Sequence, residues 1–496
     1  MPTKTTTTIA AILTTFTVAS LAQPKATPKL PDLPPINQAS LAKMKVEDLY
    51  KNLCAPCHGA DLNGGLAPSF LDGVWKHGST DAEIARTILK GNLSLGMTPW
   101  EGILSPDQIR SLIIFLREKE KEAKVKGIQY PKPEPGKITR TELENYRIET
   151  VAEGLEIPWS LAFLPDGRKL VTERPGRLRV ISRTNQLAPK PVADTPSVVV
   201  HGQGGLLDVV VHPNFASNGW IYLAIADGSK KQVPGKKKPE VNALTAIVRG
   251  RIKNNHWIDS EWIWRGDRKF YDGSGAHFGS RITFDRNGYL YFIVGERGAL
   301  MEVQDLANPK GKIFRLHDDG RIPEDNPSFA GADAIPGIYS YGHRNPQGLA
   351  RHPATGEIFS TEHGPRGGDE LNRIQAGRNY GWPVITMGMN YNGTPLGKTH
   401  QAGMEQPLHF WVPSIATCGL DFYSGDRFPN WNNDLFVGAL KQQEVRRLRL
   451  TNGAVSQEEV ILKGLGRVRD VRTGPDGFLY VVLNKPGSIL RLIPAR

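Results

Sequence analysis

Cysteine is scarce in this chain: three residues in 496 are too few for a disulfide framework. A mean hydropathy of -0.36 argues against a polytopic membrane protein. Blocks of like charge are also missing, so the net charge of +12 favours acidic partners or ligands without indicating a nucleic-acid-binding arm. Glycine (52) and proline (37) are abundant instead, as is typical of turn-rich β proteins. The length predicts more than one domain.

Residues 1–22 are predicted to be a cleaved export signal. Lys4 is the only charge before an apolar, threonine-rich run over 9–22, and small residues at its end predict cleavage before Gln23. The run is short for a membrane span, although an uncleaved anchor is the alternative. We therefore expect a periplasmic protein without stable membrane insertion. Residues 23–38 are too rich in proline for a helix and are predicted to be a linker.

A small all-α domain is predicted over residues 39–122. Thr80 with Glu83 predicts a capping box, and Ser105 followed by Pro106 predicts the start of a final helix. Apolar residues at helical spacing predict the buried faces: Val46, Leu49, Tyr50, Leu53, Ile84, Ile88, Ile109, Leu112, Ile113 and Leu116.

After a second linker, predicted over 123–146, the chain repeats one unit from 147 to 496: a short polar turn followed by an apolar strand. The six turns are Asp166-Gly167, Asn218-Gly219, Asn287-Gly288, Thr355-Gly356, Asn433-Asp434 and Asp476-Gly477. Turns of this kind close antiparallel hairpins. Six hairpins at this spacing predict an all-β six-bladed propeller, with a pair of β-sandwiches as the alternative.

The pentapeptide Cys54-Ala55-Pro56-Cys57-His58 has the pattern for covalent haem c attachment. Its two thiols would carry the haem, and its histidine would ligate the iron. Met97 is the candidate sixth ligand, which would raise the haem potential relative to a second histidine. The alternatives are a disulfide or redox C-x-x-C, a core methionine at 97, and His77 as the sixth ligand. Residues 39–122 resemble a class I cytochrome c domain.

Dense polar clusters occupy the predicted loops of the propeller. His277 precedes a predicted strand and Glu296 lies beyond it, which suits a general base with an orienting carboxylate. Glu362-His363-Gly364-Pro365, followed by Asp369-Glu370, places backbone carbonyls beside carboxylates, the oxygen ligands that Ca²⁺ prefers. Three cations suit a polycarboxylate ligand: Lys441, Arg467 and Arg469. Each of these residues could instead be an ordinary polar loop residue.

Residues 147–496 are similar to the soluble quinoprotein glucose/sorbosone dehydrogenases, also called aldose sugar dehydrogenases. The resemblance runs in family order across nearly the whole domain. The matching segments are Gln203-Gly204-Gly205-Leu206-Leu207, His277-Phe278-Gly279-Ser280-Arg281, Gly342-His343-Arg344-Asn345-Pro346-Gln347-Gly348-Leu349, Glu362-His363-Gly364-Pro365, Asn379-Tyr380-Gly381-Trp382-Pro383, Lys441 and Arg467-Val468-Arg469-Asp470.

The resemblance implies a six-bladed propeller that oxidises aldoses at C1 with pyrroloquinoline quinone (PQQ) and calcium. His277 would take the proton of the anomeric hydroxyl while the C1 hydride passes to PQQ. Glu296 would orient His277, and Arg344 would polarise the quinone oxygen. Positions matching sugar or PQQ contacts are Gln203 near the sugar and Asn345, Gln347, Lys441, Arg467 and Arg469 at the quinone. The carbonyls of Gly364 and Pro365 match a catalytic Ca²⁺ site, and Glu370 with the Tyr380 backbone matches a structural one.

The substrate-lining loop Trp411-Val412-Pro413-Ser414 departs from the glucose-specific members, so the sugar stays open. Long insertions typical of dimeric members are not obvious, and we expect a monomer. The fusion of the two domains predicts a circuit from sugar to PQQ, then to haem, and on to a soluble cytochrome, a copper protein or a terminal oxidase. We expect the second linker to keep the haem within reach without fixing one pose.

Rival functions stay open on the residues alone. A PQQ dehydrogenase for a non-aldose alcohol or aldehyde would use the same base and quinone. A Ca²⁺-dependent lactonase would need a cluster of carboxylates to activate water rather than three cations. A noncatalytic sugar-binding propeller would not need the His277 and Arg344 pair.

Overall fold

The computed structural model describes residues 41–495 except 42, 63, 65–66, 72–74, 96, 126–129 and 237. The predicted export signal over 1–22 and the predicted linker over 23–38 lie outside the described residues, as does part of the second linker. Among the described residues, no helix is both long and apolar enough to cross a membrane.

The described part of 41–125, called here the helical domain, contains helices α1 (Val46–Leu53), α2 (Ala55–His58), α3 (Asp81–Lys90) and α4 (Pro106–Val125), with a 3-10 turn at Leu93–Leu95. The predicted capping box at Thr80 and Glu83 is confirmed. Ser105 caps α4: its hydroxyl accepts from the Gln108 N–H at 3.2 Å. The apolar faces predicted for all three long helices are buried in one core. Helix α4 continues past the boundary predicted at residue 122.

The strands begin with β1 (Ile138–Arg140) and β2 (Asn145–Ala152), so the sheet structure starts inside the segment predicted as a linker over 123–146. The next sheets are β3 (Pro158–Phe163), β4 (Lys169–Glu173) and β5 (Arg177–Ile181), then β6 (Leu206–Val211), β7 (Ile221–Lys231), β8 (Glu240–Lys253) and β9 (His256–Trp264), with helix α5 (Phe215–Asn218) between β6 and β7.

Three further sheets complete the chain. They are β10 (Gly279–Phe284), β11 (Leu290–Val294), β12 (Lys312–Leu316) and β13 (Ile338–Tyr341), then β14 (Pro346–Arg351), β15 (Ile358–Glu362), β16 (Asp369–Ile374) and β17 (His409–Trp411), then β18 (Thr417–Phe422), β19 (Leu435–Ala439), β20 (Glu444–Thr451) and β21 (Ala454–Lys463). The last strands, β22 (Arg467–Thr473), β23 (Leu479–Lys485) and β24 (Ser488–Pro494), share one sheet with β1 and β2, in which β24 pairs with β2 and β2 with β1.

These six antiparallel sheets of the described chain are the blades of a propeller. One edge strand of each sheet contacts an edge strand of the next, so that β3, β6, β10, β14, β18 and β22 close a ring. The circle is closed by pairing of the N-terminal β2 with the C-terminal β24, for example Tyr146 opposite Pro494. All six predicted turns lie between the first and second strands of a blade, which confirms the six-bladed fold.

A buried charge network fixes the ring at its centre. Arg281 on β10 is fully buried and bonds Asp208 on β6 at 3.0 Å and Asp470 on β22 at 3.1 Å. Because a buried guanidinium without a carboxylate partner is costly, this network ties three inner strands together. It lies below the loops that carry the polar clusters.

Candidate active site

The predicted site residues gather at one end of the ring because of strand direction. In an antiparallel pair, the start of one strand and the end of its partner lie at the same end. Gln203 precedes β6, His277 precedes β10, and Arg344 precedes β14, whereas Glu296 follows β11 and Gly364 follows β15. The fold therefore brings residues from three neighbouring blades to one mouth.

His277 and Glu296 form the pair predicted from the sequence. The imidazole Nδ1 of His277 is hydrogen-bonded to a Glu296 carboxylate oxygen, and the His277 backbone N–H donates to Gln203 Oε1 at 2.9 Å. His277 has a φ of 52°, a left-handed conformation that is rare outside glycine. Gly295 supports it, because a Cβ there would lie 2.1 Å from the His277 carbonyl oxygen.

The electrostatic surroundings favour a neutral imidazole. Burial lowers the pKa of His277, the charges of Arg344 and Arg297 lower it further, and Glu296 opposes them. Burial of Glu296 alone would raise its pKa, but the hydrogen bond and charge of His277, with the Leu300 N–H, bring that pKa below its usual value. The pair is therefore a neutral base held by a carboxylate at neutral pH.

Arg344 lies beside this pair and is tied to it through the backbone, since its carbonyl accepts from the Glu296 N–H at 2.8 Å. Its guanidinium donates to the carbonyls of His363 at 3.1 Å and Gly364 at 2.8 Å. It also donates to the Tyr391 hydroxyl at 3.2 Å. The carbonyl predicted to bind Ca²⁺ at Gly364 is thus an acceptor for Arg344 in this structure.

Asn345, Gln347 and Arg469, each predicted to contact the quinone, are hydrogen-bonded to one another. Gln347 Nε2 donates to Asn345 Oδ1 at 2.9 Å, and Arg469 donates to Gln347 Oε1 at 2.8 Å. Within the described part of the chain, the Nε atoms of Arg344 and Arg469 and the Nδ2 of Asn345 are buried without a hydrogen-bond partner. Buried donors of this kind are costly unless a ligand accepts from them, so they fit an anionic, carbonyl-rich group.

Two predicted quinone residues have other partners. Lys441 is 45% exposed, and its Nζ lies 3.7 Å from a carboxylate oxygen of Glu118 in the helical domain. Arg467 donates to the Leu440 carbonyl at 3.3 Å. Neither contact was evident from the sequence, because the first crosses between domains and the second involves a backbone acceptor.

Three of the four predicted calcium residues, Gly364, Glu370 and Tyr380, line one small cavity, whereas Pro365 does not. Its lining includes Arg344, Glu362, Gly364, Glu370 and Tyr380. Burial, together with the nearby carboxylate of Glu362, raises the pKa of Glu370 to about 8, so a hard cation would relieve this crowding. No group of three or more His, Cys, Asp or Glu side chains in the described residues is arranged to hold a metal ion. A cation here would need the backbone carbonyls.

Asp369 shapes the loop that carries the Gly364 and Pro365 carbonyls. Its buried carboxylate accepts from the Gly364 N–H at 3.0 Å and from the Ser414 hydroxyl at 2.8 Å. Ser414 belongs to the loop predicted to line the substrate. In the same loop, Trp411 is buried and donates to Glu458 at 2.7 Å. This stretch therefore supports the loop that carries Gly364, and Trp411 is not exposed to a ligand.

Three of the residues predicted to bind haem, Cys54, Cys57 and His58, lie where α1 meets α2. Cys54 and Cys57 are unpaired by disulfide, as attachment to a porphyrin requires. The His58 Nδ1 lies 3.3 Å from the Pro68 carbonyl, a contact that leaves the other ring nitrogen free to bind a metal. Burial lowers the pKa of His58, which keeps that lone pair available. Met97 packs against the same core and exchanges backbone hydrogen bonds of 2.9 Å with Asn92.

Three residues of the site had no role assigned from the sequence. The Glu362 carboxylate accepts from the His343 imidazole at 3.0 Å and from the Arg344 backbone, so it orients the segment before β14. His363 is kept neutral, since burial and the charge of Arg344 lower its pKa to about 3. Tyr391 is 70% exposed beside Arg344. Glu362 and His363 stand in a matching segment, whereas nothing in the sequence distinguishes Tyr391.

Comparison with known proteins agrees with this geometry. A family model described as Glucose / Sorbosone dehydrogenase matches residues 155–491. A second, described as Cytochrome C oxidase, cbb3-type, subunit III, matches residues 42–116. The aldose sugar dehydrogenase YliI of Escherichia coli (strain K12) is 41% identical over 355 residues, covering 70% of this chain and 92% of that protein.

Solved structures show the same likeness. The apo-form of the soluble aldose sugar dehydrogenase from Escherichia coli is 40% identical, with a TM-score of 0.65, covering 71% of this chain and 100% of that one. The PQQ-bound form of an aldose sugar dehydrogenase from Streptomyces coelicolor is 28% identical, with a TM-score of 0.58 and coverage of 70% and 98%.

Proposed function

Because the chain belongs to the glucose/sorbosone dehydrogenase family, we propose that it oxidises aldose sugars at C1 to lactones. PQQ would be the first electron acceptor, and haem c on the helical domain the second. The observation that carries this proposal is the neutral His277, held by Glu296 beside Arg344. This arrangement places a base, His277, and a cation, Arg344, together at the mouth of the propeller.

His277 would remove the proton of the anomeric hydroxyl. Its Nδ1 is engaged by Glu296, which leaves Nε2 as the basic nitrogen and stabilises the imidazolium that forms. Gln203 fixes the backbone of His277. PQQ, when bound, supplies a quinone carbonyl that takes up hydride from C1. Arg344 would stabilise the negative charge that develops there, and its buried Nε is available for such an acceptor.

The remaining cations would hold the cofactor. Arg469 and Asn345 carry buried donors that lack partners within the described chain, and Gln347 orients both. Lys441 and Arg467 would bind further carboxylates of PQQ after exchanging their present partners. The carbonyls of Gly364 and Pro365 would hold the catalytic Ca²⁺, and Glu370 with Tyr380 the structural one.

Electron transfer to the haem would occur in two one-electron steps for each sugar oxidised. Oxidation of one aldose to its lactone releases two electrons and two protons. A haem accepts one electron at a time, so ferric haem has to be reduced twice for each sugar. An external one-electron acceptor, which we take to be a soluble cytochrome, a copper protein or a terminal oxidase, would reoxidise it in between. Cys54, Cys57, His58 and Met97 would hold this haem in an exported, periplasmic protein.

The test is dye-linked sugar oxidation by protein reconstituted with PQQ and Ca²⁺, with product analysis for the lactone. We expect His277→Asn to lower kcat by about 10²-fold or more, since it removes the base. PQQ binding, followed by quenching of tryptophan fluorescence, should stay as in the unaltered protein. Loss of PQQ binding, or turnover that survives the substitution, would contradict the role of His277. Absence of lactone with every aldose would contradict the proposed reaction.

A further inference from the structure

Helix α4 has two differently used faces. Ile109, Leu112 and Leu116 pack inside the helical domain. Arg110, Ile114 and Glu118, each four residues apart and therefore on one side of the helix, meet the propeller. Ile114 is fully buried, and the space above Gly367 in the propeller is filled by its side chain.

The propeller side of this contact consists of two loops, 365–368 and 386–396. Arg366 is held between the two domains, donating to Glu118 and to Glu47 at 2.7 Å each. Arg110 donates to the carbonyls of Thr386 at 3.3 Å and Leu396 at 3.4 Å. The contact is therefore a set of specific charged and backbone hydrogen bonds around a buried apolar centre.

Met389 marks that centre. It is fully buried although it belongs to a propeller loop, because it packs in the core cluster of the helical domain. Its backbone exchanges two hydrogen bonds of 3.0 Å with Arg366, so the two loops are joined to each other. The loop also accepts a hydrogen bond of 3.1 Å from the Val46 N–H through the Gly393 carbonyl.

This docking surface adjoins the mouth of the catalytic site. Arg366 directly follows Pro365, Tyr391 bonds Arg344, and Glu118 lies beside Lys441. Phe115 lies three residues before Glu118 and is therefore its neighbour on the surface of α4.

Phe115 packs on Tyr50 with ring centres 5.4 Å apart. The Tyr50 hydroxyl donates to the carbonyl of Gly59, immediately after the haem-binding pentapeptide, at 2.8 Å. Helix α4 thus contacts Lys441 through Glu118 and the residues beside the haem-binding segment through Phe115.

We propose that this docked arrangement is the one from which electrons pass from the sugar-oxidising site to the haem, and that Arg366, held by Glu47 and Glu118, maintains it. The inference rests on the proposed function. Each transfer moves one electron from the reduced cofactor to ferric haem, the external acceptor reoxidises the ferrous haem, and the two protons of the sugar leave to solvent.

The experiment combines a structural readout with two kinetic ones, at saturating PQQ and Ca²⁺. Hydroxyl-radical labelling of Met389 reports docking without any cofactor chemistry, and Met301, which is 59% exposed, serves as the internal reference. Stopped-flow absorbance follows haem reduction after sugar is added, and an added dye reports sugar oxidation itself. The test variant is Glu47→Lys/Glu118→Lys. The matched control is Glu101→Lys/Glu122→Lys, two exposed glutamates elsewhere on the same domain.

In the test variant we expect Met389 to be labelled as readily as Met301 and haem reduction to slow by about tenfold or more. Dye reduction should be unchanged, and the control should behave like the unaltered protein. Adding Arg366→Glu to the test variant restores opposite charges at 366 and should recover both protection of Met389 and part of the haem rate.

Two results would overturn the inference while leaving the dehydrogenase intact. Met389 that stays protected in the test variant would show that these ion pairs do not hold the domain. An exposed Met389 with an unchanged haem rate would show that electrons do not need this arrangement. If the unaltered protein reduces neither dye nor haem with sugar, the proposed function fails, and this inference fails with it.

Discussion

The protonation state of His277 decides whether the site can begin a reaction. A base has to be neutral to accept a proton, and a histidine in water is half protonated near pH 6.5. Here burial and the charges of Arg344 and Arg297 lower the pKa of His277, while Glu296 opposes them. We therefore expect the acidic limb of the pH–rate profile to lie below pH 6.5.

Glu296→Gln should separate the two roles of this carboxylate. Removing its charge lowers the pKa of His277 further, so the acidic limb of kcat/KM should move to lower pH. The imidazolium also loses its stabilising partner, and kcat should fall by about 10²-fold or more. Dye-linked rates across pH measure both effects, with the exposed Glu324→Gln as the control. A limb that moves to higher pH, or an unchanged kcat, would contradict the account.

Met97 and His77 are the two candidates for sixth ligand of the proposed haem. Met97 packs in the core of the helical domain, whereas His77 is exposed on a turn. Met97→His should lower the haem reduction potential, because a second histidine stabilises ferric iron more than methionine does. His77→Ala should leave the potential unchanged. A spectroelectrochemical titration of both variants decides which residue is the sixth ligand. A change of potential in His77→Ala alone would show that His77 is that ligand.

The loop between β15 and β16 is shaped by glycine and by Asp369. A Cβ at Gly364 would lie 2.3 Å from the carbonyl oxygens of Gly367 and Gly368, which no side chain tolerates. The carbonyl of Gly364 is therefore placed by a tight backbone packing. Its direction depends on that packing rather than on any side chain of the residue.

Gly364→Ala should displace this loop while the blades remain folded. We expect the affinity for Ca²⁺ to fall by about tenfold or more, since a carbonyl ligand is turned away. The shift of the thermal midpoint on adding Ca²⁺ after EDTA treatment measures this. Gly273→Ala is the control, because its Cβ would meet nothing closer than 3.3 Å. Equal stabilisation of Gly364→Ala and the unaltered protein would argue that this carbonyl binds no calcium.

Elements with local signals could be predicted from the sequence. The six polar turns lie between the first and second strands of the blades, because turn chemistry depends on adjacent residues. The cap at Thr80 depends on a residue three positions away. The pairing of β2 with β24 was not predicted, because β24 lies at the other end of the chain. Pairing at that separation leaves no local pattern.

The same limit applies to the candidate site. His277 and Glu296 could be paired by resemblance, and the structure brings them together. The partner of Lys441 could not be predicted, because Glu118 belongs to another domain. Ile114 and Glu118 have an ordinary helical spacing, which does not predict a contact with another domain. Ile114 is buried and Glu118 is paired because both meet the propeller loop around Arg366, which lies 248 positions after Glu118 in the sequence.

On the scale of the whole molecule, two domains with separate cores share one contact surface at the mouth of the site. The helical domain covers loops that would otherwise be exposed, and Met389 is buried there against its core. The second linker was expected to let the helical domain adopt several positions relative to the propeller. In the structure, Arg366 of the propeller instead forms ion pairs of 2.7 Å with Glu47 and Glu118 of the helical domain. Domain contacts of this kind depend on surface complementarity and not on linker composition.

The central claim is that sugar oxidised in the propeller reduces the haem of the same chain. The most direct test is the visible spectrum of haem-loaded protein, reconstituted with PQQ and Ca²⁺, during addition of a panel of aldoses. We predict that the α-band of reduced haem appears only when both PQQ and an effective sugar are present, at a first-order rate independent of protein concentration. Haem that stays oxidised while an added dye is reduced by the same sugar would contradict the internal transfer.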